Sequence, residues 1–95
     1  MNSTRAPGAR NFWRFHLENP HVYDTLVSLA RSWAKTGREK CGIGMLYEVA
    51  RWQIAMRTVG EPLKLNNNYR SRYARLIMQR EPDLADIFEI RQLTT

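Results

Sequence analysis

Apolar residues recur at helical spacing along most of the chain. The clearest run is Val22, Tyr23, Leu26, Val27, Ala30, Trp33 and Ala34, three and four positions apart, which is the stripe of an amphipathic helix. Asn19 suits a cap, Pro20 suits the first helical position and Gly37 supplies a stop, so the pattern predicts a helix over 20–36. Before it, Phe12, Trp13, Phe15 and Leu17 in NFWRFHLE predict a short helix over 11–18 whose aromatics, Trp13 included, face the core. A second long helix is predicted over 44–58. Leu46, Val49, Ala50 and Ile54 mark its inner side, Met45, Trp52 and Met56 flank it, and Tyr47, Glu48, Arg51 and Arg57 share its outer surface.

The third long helix is predicted over 67–80, opened by the cap candidates Asn66, Asn67 and Asn68, with Tyr69, Tyr73, Leu76, Ile77 and Arg80 on its inner side. Glu81-Pro82 ends it, and Pro82 and Asp83 suit the start of a short final helix over 82–88 with Leu84, Ile87 and Phe88 as core contacts. The segment 38–44 reads as a turn or short strand, and Gly42-Ile43-Gly44 as a turn with a helix start. Val59 to Pro62 is a break, and Leu63-Lys64-Leu65 alternates as extended chain does. Residues 1–10 carry no periodicity and read as a flexible basic arm holding Arg5 and Arg10. The expectation is a mainly α fold: a compact bundle of three main helices plus short flanking helices, one domain over 11–95, with little or no β. Its element order is helix-turn-helix-like or winged-helix-like. Against that order, the 59–66 connection exceeds the tight turn of about 3–4 residues in a standard helix-turn-helix, and no strand-turn-strand signal follows residue 80.

Composition adds limits. A chain of 95 residues, 43% of them hydrophobic, builds one modest core. No apolar run approaches the roughly 18 residues needed to span a bilayer, and no hydrophobic leader opens the chain, so no membrane partner is expected. The lone Cys41 fits a reducing compartment and a structural position. His16 and His21 are five positions apart with Pro20 between them, so they share no helix face, and no nucleophile or phosphate-loop motif occurs. Asp83, Asp86 and Glu89 read as a solvated face. No enzyme activity, metal site or cofactor is expected.

Charge changes the picture most. Residues 1–80 hold fourteen of the fifteen basic residues and five acids, whereas residues 81–95 set Arg91 against Glu81, Asp83, Asp86 and Glu89. The net +6 is therefore a basic body with an acidic tail. Twelve of the basic residues are Arg, which makes bidentate contacts to phosphate and guanine. The stretch NNNYRSRYARLIMQR, residues 66–80, contains no acid. In it Asn68, Arg72 and Arg75 fall at i, i+4 and i+7 on one helix face. Asn67, Asn68, Arg70, Ser71, Arg72 and Arg75, helped by Arg5 and Arg10, are the candidate DNA contacts, with Arg72 and Arg75 nearest the bases and Arg70 limited to the backbone. The bland reading of the same residues is caps, core tyrosines and arginines paired with the acidic tail. Attraction between tail and body on separate copies also permits a homo-oligomer.

The stretches GIGMLYEVARW (42–52), KLNNNYRSRYARLIM (64–78) and PDLADIFEIRQL (82–93) resemble a group of short bacteriophage and prophage proteins of actinobacterial phage type. The resemblance covers roughly residues 12–93, and Leu63 stands where that group carries an aromatic. It implies a viral origin and expression in the cytoplasm of a host bacterium, and it transfers no site residue. Two functions follow as expectations. One is a phage DNA-binding protein, with regulation as one of its uses, that employs the helix near 67–80. The other is a phage protein that binds and modifies a host or phage protein, for which an exposed Trp13, Trp33 or Trp52 would be the sign.

Overall fold

The computed structural model describes residues 7–38, 40–60 and 63–89, and most of these lie in four α-helices: α1 (Pro7–Glu18), α2 (Pro20–Lys35), α3 (Ile43–Arg57) and α4 (Arg70–Arg80). Single 3-10 turns at Asn67–Tyr69 and Pro82–Leu84 flank α4. The fold is mainly α, as the spacing predicts. No described helix is long and apolar enough to cross a membrane.

Local chemistry accounts for most boundaries. α1 begins at Pro7, a residue preorganised for the first helical position, so residues 7–10 are helical and not part of a flexible arm. The remainder of that arm, Arg5 included, lies outside the described residues. Asn19 ends α1 instead of capping α2 with its side chain: its backbone N–H and its Nδ2 both donate to the Phe15 carbonyl, at 2.9 and 3.0 Å. α2 closes where Gly37 adopts a positive φ of 86° and donates to the Ala34 carbonyl at 3.1 Å. Trp33 folds over this corner, with Nε1 donating to the Lys40 carbonyl at 2.9 Å.

The predicted helix over 82–88 does not form beyond one 3-10 turn. After a turn at Ala85–Asp86 the chain pairs through Phe88 with Cys41 in a single parallel bridge. The Cys41 N–H donates to the Ile87 carbonyl at 2.8 Å, and the Glu89 N–H donates to the Cys41 carbonyl at 3.3 Å. Lys40 Nζ takes the Asp86 carbonyl at 2.7 Å. These bonds satisfy the backbone that a helix would have satisfied, while Ile87, Phe88 and Cys41 are all buried. The connection between α3 and α4 spans residues 58–69 and ends in the 3-10 turn, too long for the tight turn of a helix-turn-helix. It tucks Leu65 into the core and leaves Lys64 outside.

α3 shows a rotated inner face. Leu46, Ala50 and Ile54 are buried as predicted, but Tyr47 joins them in the core and Val49 faces outward. Tyr47 was expected on the surface. Its hydroxyl donates to the Asn66 carbonyl at 2.7 Å, so a fully buried ring still satisfies its polar end. Arg80, expected inward, is exposed at the end of α4.

Phe12, His16, Tyr69, Tyr73 and Tyr47 form a continuous aromatic cluster joining α1, α3 and α4. Within it Tyr47 and Tyr73 differ at the hydroxyl: among the described residues the buried Tyr73 hydroxyl has no hydrogen-bond partner. Tyr47→Phe therefore removes one of the two bonds to the Asn66 carbonyl, which keeps the Tyr69 N–H at 3.0 Å, and should cost about 1 kcal/mol, whereas Tyr73→Phe should be neutral or slightly stabilising. Urea denaturation of the two variants checks this ordering.

Candidate nucleic-acid interface

α4 buries Tyr73, Ala74, Leu76 and Ile77, which turns Ser71, Arg72, Arg75 and Gln79 toward the opposite side. α1 packs along the edge of that side. Phe12 and Trp13 from α1, with Arg72, Arg75, Leu76 and Gln79 from α4, line an open cleft of about 180 Å3. Trp13 is 39% exposed and forms its lip. Arg80 completes the arrangement, its guanidinium lying 5.9 Å from the Trp13 ring centre and 6.0 Å from that of Tyr23. Arg10 is exposed three residues before Trp13, on the same side of α1. Indole and guanidinium groups so interleaved can stack on a base and contact phosphate oxygens.

Trp13 was expected in the core. The correction follows from Phe12 and His16, one turn apart, both of which are buried. Burying that pair rotates Trp13 and Leu17, the next residue in each case, onto the exposed side. The sequence carries a faint signal for this, because Arg10 and Arg14 flank Trp13 on the helix.

The candidate contacts divide into two groups. Asn68, Ser71, Arg72 and Arg75 follow one outward face, Asn68 exposed and the other three half-buried. Asn67 is engaged within the fold: its Oδ1 accepts from Arg51 Nη2, and its carbonyl accepts from Arg70 Nε at 3.2 Å. Arg70 thereby turns back toward the start of α3, with Nη1 3.5 Å from where a Cβ at Gly44 would stand. That separates it from Arg72 and Arg75, as its position on the helix predicts. Asn66 does the capping, its Oδ1 accepting from the Asn68 N–H at 2.8 Å.

Two acids of the tail that compete for basic partners, Glu81 and Asp83, are taken up by α2. Arg31 of α2 takes both nearest acids, with Nη2 at 2.7 Å from Glu81 and Nε at 2.9 Å from Asp83. A second bond, Arg31 Nη2 to Asp83 Oδ1 at 3.1 Å, makes the Asp83 contact bidentate. The hydrogen bond from Arg31 holds the Asp83 carboxyl below its usual range. Glu81 also accepts from the Tyr23 hydroxyl at 2.8 Å, and burial together with that bond pushes the phenol up to about 12. Among the described residues no ion pair joins an acid to Arg70 or Arg72.

His16 lies beneath this surface, stacked on Phe12 at 6.1 Å and edge-on to Trp13, Tyr23 and Tyr73. Its Nδ1 is buried with no hydrogen-bond partner among the described residues. Burial first, and the nearby Arg80 charge second, lower its pKa, while Asp24 acts weakly the other way. The unfolded chain therefore binds this proton more readily than the folded one. The stability associated with neutral His16 is complete above the unfolded value of about 6.5 and is lost as pH falls below it. Denaturation at pH 7.5 and 5.5 should show lower stability at the acid value, and His16→Phe should flatten that difference. Comparison with protein-family models, with curated proteins and with solved structures finds no match.

Proposed function

We propose that this chain is a small phage DNA-binding protein acting in the cytoplasm of a host bacterium, and that it meets the duplex with the outward face of α4 and the lip of α1. One observation carries the reading: Arg72 and Arg75 flank a half-exposed Trp13 while the neighbouring acids Glu81 and Asp83 are held by Arg31 on another helix. Arg72 and Arg75 contact base edges or phosphates, Asn68 and Gln79 extend the same face, and Arg10 reaches the backbone. Trp13 supplies apolar and stacking contact at the groove edge. The phage origin rests on the resemblance of the stretches 42–52, 64–78 and 82–93. A regulatory role is a natural use of such a face, although the long α3–α4 connection departs from a standard helix-turn-helix.

A second reading, a module that binds and modifies a host or phage protein, is favoured by the exposure of Trp52 and Trp13. Salt separates the two, because phosphate contacts release counterions and apolar contacts do not.

Fluorescence anisotropy with a labelled duplex at low salt tests the proposal. Binding should weaken steeply with added salt, and Arg72→Ala should weaken it further and lower the salt slope by about one. Trp13→Ala should weaken binding with little change in slope, since it removes no charge. Absence of binding to any duplex at low salt would leave the protein-binding reading in its place.

A further inference from the structure

The outer face of α3 is apolar along its whole length. Met45 is 46% exposed, Val49 38%, Trp52 64% and Met56 68%. Their spacing of four, three and four residues aligns them in one stripe, the pattern of a seam between two helices. Val59, just past the helix end, is also almost fully exposed. The core already takes Leu46, Tyr47, Ala50 and Ile54 from the other side of the same helix, so the stripe is surplus to this fold. A contiguous apolar patch of this kind on a small protein marks a contact surface.

We infer that this face is the interface of a homodimer in which two α3 helices pack antiparallel. The stripe is complementary to itself under a twofold axis passing between Ala50 and Arg51. Met45 then lies opposite Met56 of the second copy, and Val49 opposite Trp52 of the second copy, so the smallest residue meets the largest. Glu48, at the margin, falls beside Ala55 of the second copy and meets no like charge. Arg51 is drawn off the seam, its guanidinium 5.6 Å from the Tyr47 ring centre and bonded to Glu48 Oε2 at 3.4 Å and to Asn67. Antiparallel helix dipoles add a small favourable term.

Covering the stripe in both copies hides on the order of 1,000 Å2, the lower limit for a specific association, so a reversible dimer is the outcome. A nucleic acid does not suit this face, because none of the four residues of the stripe is charged. Each copy carries a net +6, so the copies repel weakly and salt should screen that repulsion. This dimer tightens as salt rises. Association of an acidic tail with a basic body would loosen instead.

Sedimentation velocity over about 1–200 µM protein, at low and at high salt, tests the inference. The wild type should shift from monomer toward dimer with concentration, and more so at high salt. Trp52→Glu should remain monomeric throughout while keeping its helical circular dichroism, since Trp52 contributes little to the core. A wild type that stays monomeric at every concentration, a dimer that survives Trp52→Glu, or a dimer that dissolves with added salt would each overturn it. The inference does not rest on DNA binding: Arg72→Ala leaves this interface intact, and a dimer that binds no duplex would refute only the earlier proposal.

Discussion

Three rings close on Phe12: Tyr73 edge-on with centroids 4.8 Å apart, Trp13 at 5.3 Å and Tyr69 at 5.5 Å, while the His16 imidazole stacks on it at 6.1 Å. That packing docks α1 against α4, and the remaining arrangement follows from it. Aromatic pairs in edge-on geometry contribute beyond the area they bury, which suits a chain too short for a large aliphatic core. With Phe12 and His16 turned inward, Trp13 has only the lip of the cleft to occupy. Arg80 then finds its ring, and Arg72 and Arg75 become the opposite wall. The candidate interface is thus a consequence of core packing, not an appendage to it.

Electrostatics divides the surface. A bidentate arginine fork matches carboxylate geometry, and Arg31 satisfies Asp83 in this way while its other contact reaches Glu81. Two of the tail's four acids are therefore held locally on α2, next to Tyr23. Arg72, Arg75 and Arg80 lie together where α1 and α4 meet. The stripe of Met45, Val49, Trp52 and Met56 on α3 carries no charge, so this apolar surface and the Arg72–Arg75 face lie on different helices.

Where the pattern had contrast, the sequence was legible. α2 starts at Pro20 and stops before Gly37 because both residues act through their own backbone, without help from tertiary structure. The core residues of α4 were readable because arginines alternate with apolar positions. α3 offered no such contrast. Ten of its fifteen residues are apolar, so nothing local says that Tyr47 enters the core and Val49 does not. That choice is made by the Asn66 carbonyl, nineteen residues away, which accepts the Tyr47 hydroxyl. The end of the chain failed for a related reason. Pro82, Asp83 and Leu84 begin a helix well, but Cys41, far off in sequence, offers a better partner to the backbone at residues 87 and 89. Within the candidate site, Arg72 and Arg75 were legible from their spacing. Trp13 was not, because hydrophobicity suggested burial where the neighbouring Phe12 and His16 had already taken the inner face.

The central claim is that the α1–α4 face, and no other, meets nucleic acid. Titration of a short duplex into isotope-labelled protein, followed by amide and indole NMR shifts, tests it most directly. The account predicts that the shifts concentrate at the Trp13 indole N–H and at Arg72, Arg75 and Gln79, with Arg31 and Trp52 unmoved. Shifts centred on Arg31 or on the outer face of α3, with Trp13 unaffected, would contradict it.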